Sequence, residues 1–226
     1  MKRWLRRLAL ILLWLVGGYA ALCLALILAY RWIDPPFTPL MLLRLPAMGK
    51  IDHRPVPLAR ISINLQHAVI ASEDNNFCTH HGVDWGAMHE AVDEYQDRGR
   101  LRGASTITMQ VARNLFLWPG GGIARKGVEI ALALTIDALW PKRRIIEVYL
   151  GIAELGAGTY GAEAASQAWF HEPAARLSQH DAAGLAAILP SPLHWSPTHE
   201  TAYIALRVNA IEAREEKLAG YFGCLG

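Results

Sequence analysis

The chain has 226 residues, room for one globular domain and one anchor but hardly for two domains. Its net charge is only +2, which excludes the broad basic surface that nucleic acid demands. More than half of it is hydrophobic, and the positive charge is local: Lys2, Arg3, Arg6 and Arg7 stand before a charge-free run from Leu8 to Tyr30, closed by Arg31.

That run exceeds the roughly 20 apolar residues a helix needs to cross a bilayer, so residues 8–30 read as a single transmembrane helix behind a cytoplasmic stub, residues 1–7. The leading cations keep the amino end inside and send everything after Asp34 outside. A signal peptide would have a shorter apolar core and a small-residue cleavage site, and Leu24–Arg31 supplies neither. Residues 31–57 follow as a juxtamembrane segment and linker. Its prolines, Pro35, Pro36 and Pro39, stop the helix while the composition stays greasy, as suits a lipid interface.

Residues 58–226 read as a mainly helical domain. Helices are expected at His67–Ser72, Trp85–Gln96, Ser105–Leu117 (capped by Ser105 or Thr106), Ile123–Trp140, Arg144–Leu155, Ala162–Phe170, Gln179–Leu189 and Thr201–Ala219. Pro141 ends the fourth of these, and Ser178 with Asp181 forms a capping pattern before the seventh. No stretch sustains a period of two, so the expectation for strands is a short hairpin at most. Cys23 lies in the apolar run. A disulfide between Cys78 and Cys224 is geometrically open, but two residues so far apart in sequence do not establish it, and they read first as two free, partly buried thiols.

Four clusters could carry chemistry. Glu73-Asp74 follows an apolar helical run, where burial raises a carboxyl pKa and a like-charged neighbour pushes the same way; this suits Glu73 to general-base work. Gly103-Ala-Ser-Thr-Ile-Thr-Met-Gln110, after Arg100 and Arg102, offers N–H groups and hydroxyls to an anion at a helix start. On the next helix Arg125, Lys126 and Glu129 share a face. The cations suit phosphate and hold Glu129 ionised, which makes it the weaker base. The fourth cluster, Lys142 to Leu150, reads as a structural helix burying one ion pair, Arg144 with Glu147. His80, His81 and His89 lack His-Glu-x-x-His spacing, Cys78 lacks a Cys-x-x-Cys partner, and no nucleotide-binding glycine loop is present.

In this order the clusters resemble the motifs of the peptidoglycan glycosyltransferases (family 51), and the anchor-plus-domain layout looks like that of its monofunctional members. The first motif is matched by Glu73, Asp74, Phe77, His80 and Gly82; the second by Gly103, Ser105, Thr106, Ile107, Thr108 and Gln110. The third is matched by Arg125, Lys126 and Glu129, the fourth by Lys142, Ile145, Glu147, Tyr149 and Leu150, and Ala186–Pro192 looks like the fifth. The chain departs from the pattern at Met109, Arg113, Gly121, Val128 and Gly151; Arg113 keeps the charge of a common Lys, whereas Gly121 and Val128 stand where relatives often carry cations.

The resemblance implies a lysozyme-like helical fold that polymerises lipid II into β-1,4-linked glycan strands and releases undecaprenyl pyrophosphate. It implies Glu73 as the base on the acceptor's 4-hydroxyl and Glu129 as the second catalytic acid, organising the donor pyrophosphate with Arg125 and Lys126. Asp74, Phe77, His80, Ser105, Thr106, Gln110 and Arg113 are implied substrate-binding residues. A divalent cation (Mg or Mn) at the donor pyrophosphate is the one cofactor the resemblance suggests, with no metal-ligating residues assigned. Implied partners are lipid II, the growing strand, the membrane and other cell-wall synthesis or division proteins. The implied location is a bacterial inner membrane, with the catalytic domain in the periplasm. Two rival readings are a lysozyme-like lytic enzyme, which needs no phosphate cluster or anchor, and a non-catalytic membrane scaffold, which would not need both acids.

Overall fold

A computed structural model describes residues 2–98, 103–199 and 201–225. The chain divides into two compact units, Met1–Asp34 and Pro35–Gly226. The first is essentially one helix, α1 (Lys2–Tyr30), whose stretch Arg3–Tyr30 has a mean hydropathy of 2.5 over its most apolar window. At about 1.5 Å per residue it is longer than the hydrocarbon core of a bilayer. Leu12, Leu13, Trp14 and Leu15 are all exposed along it, as a helix solvated by lipid would have them.

The second unit begins ahead of the boundary expected at residue 58. What reads in sequence as a linker contains a helix, α2 (Pro39–Met48). Thr38 caps it by accepting the Met41 N–H, Pro39 occupies its first position, and Gly49, in the left-handed region at φ 70°, returns its N–H to Leu45. Pro39, read in sequence as a helix stop, therefore starts α2.

At the heart of the unit, α3 (Ile63–Glu73) packs on α9 (Gln179–Ile188) and α10 (Ala202–Lys217). Alanine and glycine at positions 182, 183, 184, 186 and 187 keep α9 thin, and it is buried from Ala182 to Ile188. α3 is also buried round most of its surface, from Leu65 to Ala71, and so carries its last residue, Glu73, out of the core. A second group packs α5 (Ile107–Phe116) against α6 (Ile123–Leu139) and α7 (Lys142–Ile152). The helices α4 (Trp85–Arg98) and α8 (Ala162–Phe170) complete the set. α3 starts four residues before the expected helix because Ser62, not a later residue, supplies its cap. α7 starts directly after Pro141 and stops at Ile152, because the residues beyond it turn into a strand.

The expectation of a hairpin at most is corrected. β2 (Glu154–Gly156) and β3 (Thr159–Tyr160) form one, but β1 (Asp52–His53) adds a parallel strand, in the order β1-β3-β2. Strands of two residues are too short to show a period. Gly158, at φ 68°, lets the hairpin press against the chain before β1: a Cβ there would meet the Lys50 carbonyl at 2.6 Å.

The two thiols expected to be free are also corrected. Cys78 and Cys224 form a disulfide that ties the last turn of the chain to the loop after Glu73. Folding brings together what 146 residues of sequence separate.

Candidate active site

Glu73 lines a cavity of about 740 Å³ with Ser105, Gln110, Arg113, Arg207 and Arg214. Gln110 Nε2 donates to Glu73 Oε2 at 2.8 Å, and the hydroxyl of buried Tyr149 donates to Gln110 Oε1 at 3.2 Å. Burial pushes the Glu73 carboxyl above its usual range, and the Gln110 hydrogen bond and the charges of Arg207 and Arg113 only partly oppose it. The Tyr149 hydroxyl is pushed well above its ordinary value by burial and then by the Glu73 charge, so it stays a donor. The result is a carboxylate oriented by a neutral amide, and thus able to take up a proton.

Asp74 does not act on Glu73 as the sequence reading had it. Its carboxylate turns to the start of α5, where Oδ2 accepts the Ile107 N–H at 2.9 Å, and His80 Nε2 lies 2.9 Å from the same oxygen. A negative charge at a helix N-terminus is favourable, and here it couples the first cluster to the second. Thr106 does the same from the other side: its hydroxyl donates to Gly82 O at 2.6 Å while accepting the Met109 N–H as the α5 cap. Gly82, at φ 81°, sits so close to α6 that a Cβ would meet the Ala133 carbonyl at 2.7 Å. Phe77 is 0 % exposed and lies beneath the ammonium of Lys142, which donates to His80 O and Asp137 Oδ1. Thr106 lines the Glu73 cavity, whereas Phe77 and His80 do not: they brace the loop after Glu73 from behind it. The fourth cluster is structural, as its sequence suggested: Arg144 pairs with Glu147, which also accepts the Leu58 N–H at 2.7 Å.

Glu129 is 0 % exposed, and both its oxygens are taken, Oε2 by Arg125 Nη1 at 2.5 Å and Oε1 by Lys126 Nζ at 2.7 Å. Lys126 also donates to Ser105 Oγ at 2.8 Å, which links this buried ion cluster to the wall of the Glu73 cavity. Among the described residues no three His, Cys, Asp or Glu side chains gather, and both Glu129 oxygens are engaged by cations. Arg100 and Arg102 lie outside the described residues.

Sequence reasoning missed Arg207 and Arg214. Arg207 donates from Nε to Ala187 O at 3.1 Å and lies over the Trp195 ring, and Arg214 donates to Ala71 O at 2.7 Å. Their spacing of seven, two turns of one helix face, is the signal that could have paired them.

Residues 44–215, most of the chain, match the family described as Transglycosylase. The chain is 54 % identical over 214 residues to the biosynthetic peptidoglycan transglycosylase of Rhodospirillum centenum, covering 94 % of this chain and 90 % of that one. Proteins of the same name from Caulobacter vibrioides and Pseudomonas putida KT2440 are each 43 % identical, over 217 and 223 residues. Those alignments cover 93 % and 96 % of this chain, and 93 % and 92 % of the relatives. With the match spanning the helical unit and the relatives spanning nearly their full length, the chain belongs to the Transglycosylase family, and its helical unit is the lysozyme-like domain of that family.

Proposed function

We propose that this protein is a peptidoglycan glycosyltransferase of cell-wall synthesis that polymerises lipid II, with Glu73 as the base. The observation that supports it most directly is the Glu73 carboxylate, raised by burial, held by the Gln110 amide and facing a cavity lined by Arg113, Arg207 and Arg214. In the proposed reaction Glu73 accepts the proton of the acceptor sugar's 4-hydroxyl. The oxygen forms a bond to the anomeric carbon of the donor as the bond to the diphosphate breaks, with inversion, and the diphosphate leaves. Positive charge near the departing diphosphate stabilises the charge it gains. Arg125 and Lys126 suit that role because Glu129, wholly buried between them, fixes where their cationic groups sit. Arg113 suits it because it lines the Glu73 cavity as well as a second cavity shared with Arg125.

The long apolar α1 is consistent with a membrane anchor, and we place its amino end in the cytoplasm and the domain in the periplasm of a bacterial inner membrane. The cations ahead of α1 support that orientation. So does the Cys78–Cys224 disulfide, a bond that persists in oxidising compartments. Incubating the purified full chain with fluorescent lipid II tests the reading. Muramidase-sensitive polymer is the expected product. Release of fragments from finished peptidoglycan, with no polymer from lipid II, would make the protein a lytic enzyme instead.

A further inference from the structure

The fifth motif of the sequence, Ala186–Pro192, leads out of the Glu73 cavity into a feature the proposed reaction does not use. Leu189 and Pro190 line the cavity, and the chain then continues through Ser191 to Trp195. The loop that follows is pinned, because Pro197 is buried and a Cβ on Gly184 of α9 would touch it at 3.4 Å. Thr201 then caps α10, which puts Tyr203 in the first turn of that helix. The Trp195 and Tyr203 rings lie 5.2 Å apart between centroids, tilted by 55°. Arg207 sits over the Trp195 ring at 5.7 Å and also lines the Glu73 cavity. Guanidinium, indole and phenol thus run outward in series from the cavity wall, and the last of them, Tyr203, is 52 % exposed. The same loop carries polar groups at the surface. Ser191 Oγ lies 3.2 Å from Nδ1 of exposed His194, and Ser196 Oγ accepts the N–H groups of Thr198 and His199.

Aromatic rings among hydroxyls and imidazoles fit a sugar. A β-1,4-linked hexosamine carries its substituents equatorially, so the flat faces of its ring present C–H groups that pack on the electron-rich face of an aromatic ring. Its hydroxyls and acetamide, around the edge, need hydrogen-bonding partners. Trp and Tyr also gather at lipid interfaces, but the polar, exposed loop beside these two favours a sugar. We propose that Tyr203, backed by Trp195, is a binding subsite for a β-1,4-linked amino-sugar strand outside the Glu73 cavity. The sugar face stacks on Tyr203, while Ser191, His194 and Ser196 lie in the loop that meets its polar edge. Arg207 ties the subsite to the cavity wall, so a strand held here stays beside Glu73 between one addition and the next. The subsite thereby sets how far a product grows before it is released. The inference rests on the proposed polymerisation for the identity of the sugar and adds to it a hold on the strand.

The test measures binding of short, soluble, lipid-free peptidoglycan strands to the full-length protein in detergent, with melting temperatures recorded alongside. Tyr203→Ala should weaken the strand about two- to tenfold, the size of one aromatic contact, and should shorten the polymer made from lipid II. Tyr203→Phe keeps the ring and should bind nearly as the wild type does. Leu206→Ala, a change to another exposed apolar residue one turn along α10, should leave strand affinity unchanged. Chitin oligosaccharides should bind more tightly than cellulose oligosaccharides of the same length, because only the former carry the acetamide. The proposal fails if Tyr203→Ala binds strands as the wild type does, if Tyr203→Phe loses as much as Tyr203→Ala, or if Leu206→Ala matches them. Moving the protein from detergent into phosphatidylglycerol nanodiscs should preserve strand binding; its loss there would mean that the rings are seated in lipid and would overturn the sugar assignment. Polymerisation by the wild type is scored separately. A wild type that makes no polymer, yet binds strands through Tyr203, would sink the reaction and leave this subsite standing.

Discussion

Glu73 and Glu129 are both withdrawn from water, yet their company differs in kind. Glu73 has neutral close partners, the Gln110 amide and the Ser72 hydroxyl, and cations only at a distance, so burial governs it and its carboxyl is raised. Glu129 is clamped by an ammonium and a guanidinium, each at hydrogen-bonding distance. On the proposed reaction Glu73 must gain a proton, which neutral partners allow, whereas Glu129 is there to fix the positions of two cations.

The largest effect expected from this contrast is on turnover. Glu73→Gln preserves shape and the Gln110 contact but removes the proton acceptor, and should lower polymerisation by about 10²–10⁴-fold with lipid II binding retained. Glu129→Gln leaves two cations around a neutral amide in a buried place, so it should destabilise the fold by about 3–5 kcal/mol and weaken donor binding as well as rate. Calorimetry and binding on both variants check this. If Glu73→Gln kept turning over while Glu129→Gln bound normally and was inert, the roles would have to be exchanged.

Replacing both Cys78 and Cys224 with alanine should cost about 2–5 kcal/mol, read from denaturant unfolding. Because the tie ends in the loop beside Glu73, activity should fall with it; an unchanged unfolding midpoint would show the bond to be idle.

The smallest effects concern pH. With its carboxyl raised, Glu73 should set an acidic limb of the rate profile above the ordinary carboxylate range, and that limb should disappear from whatever activity Glu73→Gln retains. The same shift has a thermodynamic sign. The folded state binds this proton more tightly than the unfolded chain, so its contribution to stability is greatest at low pH and falls as pH rises through the folded pKa. At neutral pH Glu73→Gln should therefore melt slightly higher than the wild type, inactive but no less stable. A lower melting temperature would mean that the carboxylate is not held against its preference.

Much of this was legible in the residues. An apolar run ending in Glu73 announces a buried acid, and Thr106, Ser178 and Thr201 announce helix starts through chemistry that is local in sequence. What adjacency cannot tell is where consecutive side chains point once a helix ends. Glu73 and Asp74 are neighbours and both line the cavity, yet one carboxylate meets Gln110 and the other turns to the Ile107 N–H at the start of α5. Gln110 and Phe77 belong to the motifs, yet one hydrogen-bonds Glu73 and the other is wholly buried. The disulfide, β1 and Arg207 escaped for a different reason: each acquires its meaning from a partner far along the chain, and nothing in its immediate neighbours carries that information.

The bond between Cys78 and Cys224 also sets an order of events. Cys78 must wait for 146 further residues before its partner exists, on the order of ten seconds of synthesis. On the proposed topology that partner arrives only once nearly the whole domain has left the reducing cytosol. A chain stalled before Cys224 would carry Glu73, Arg125 and Lys126, yet lack the closure of the loop beside Glu73. The loop beside Glu73 is thus closed only after the residues between the two cysteines have followed it out of the cytosol.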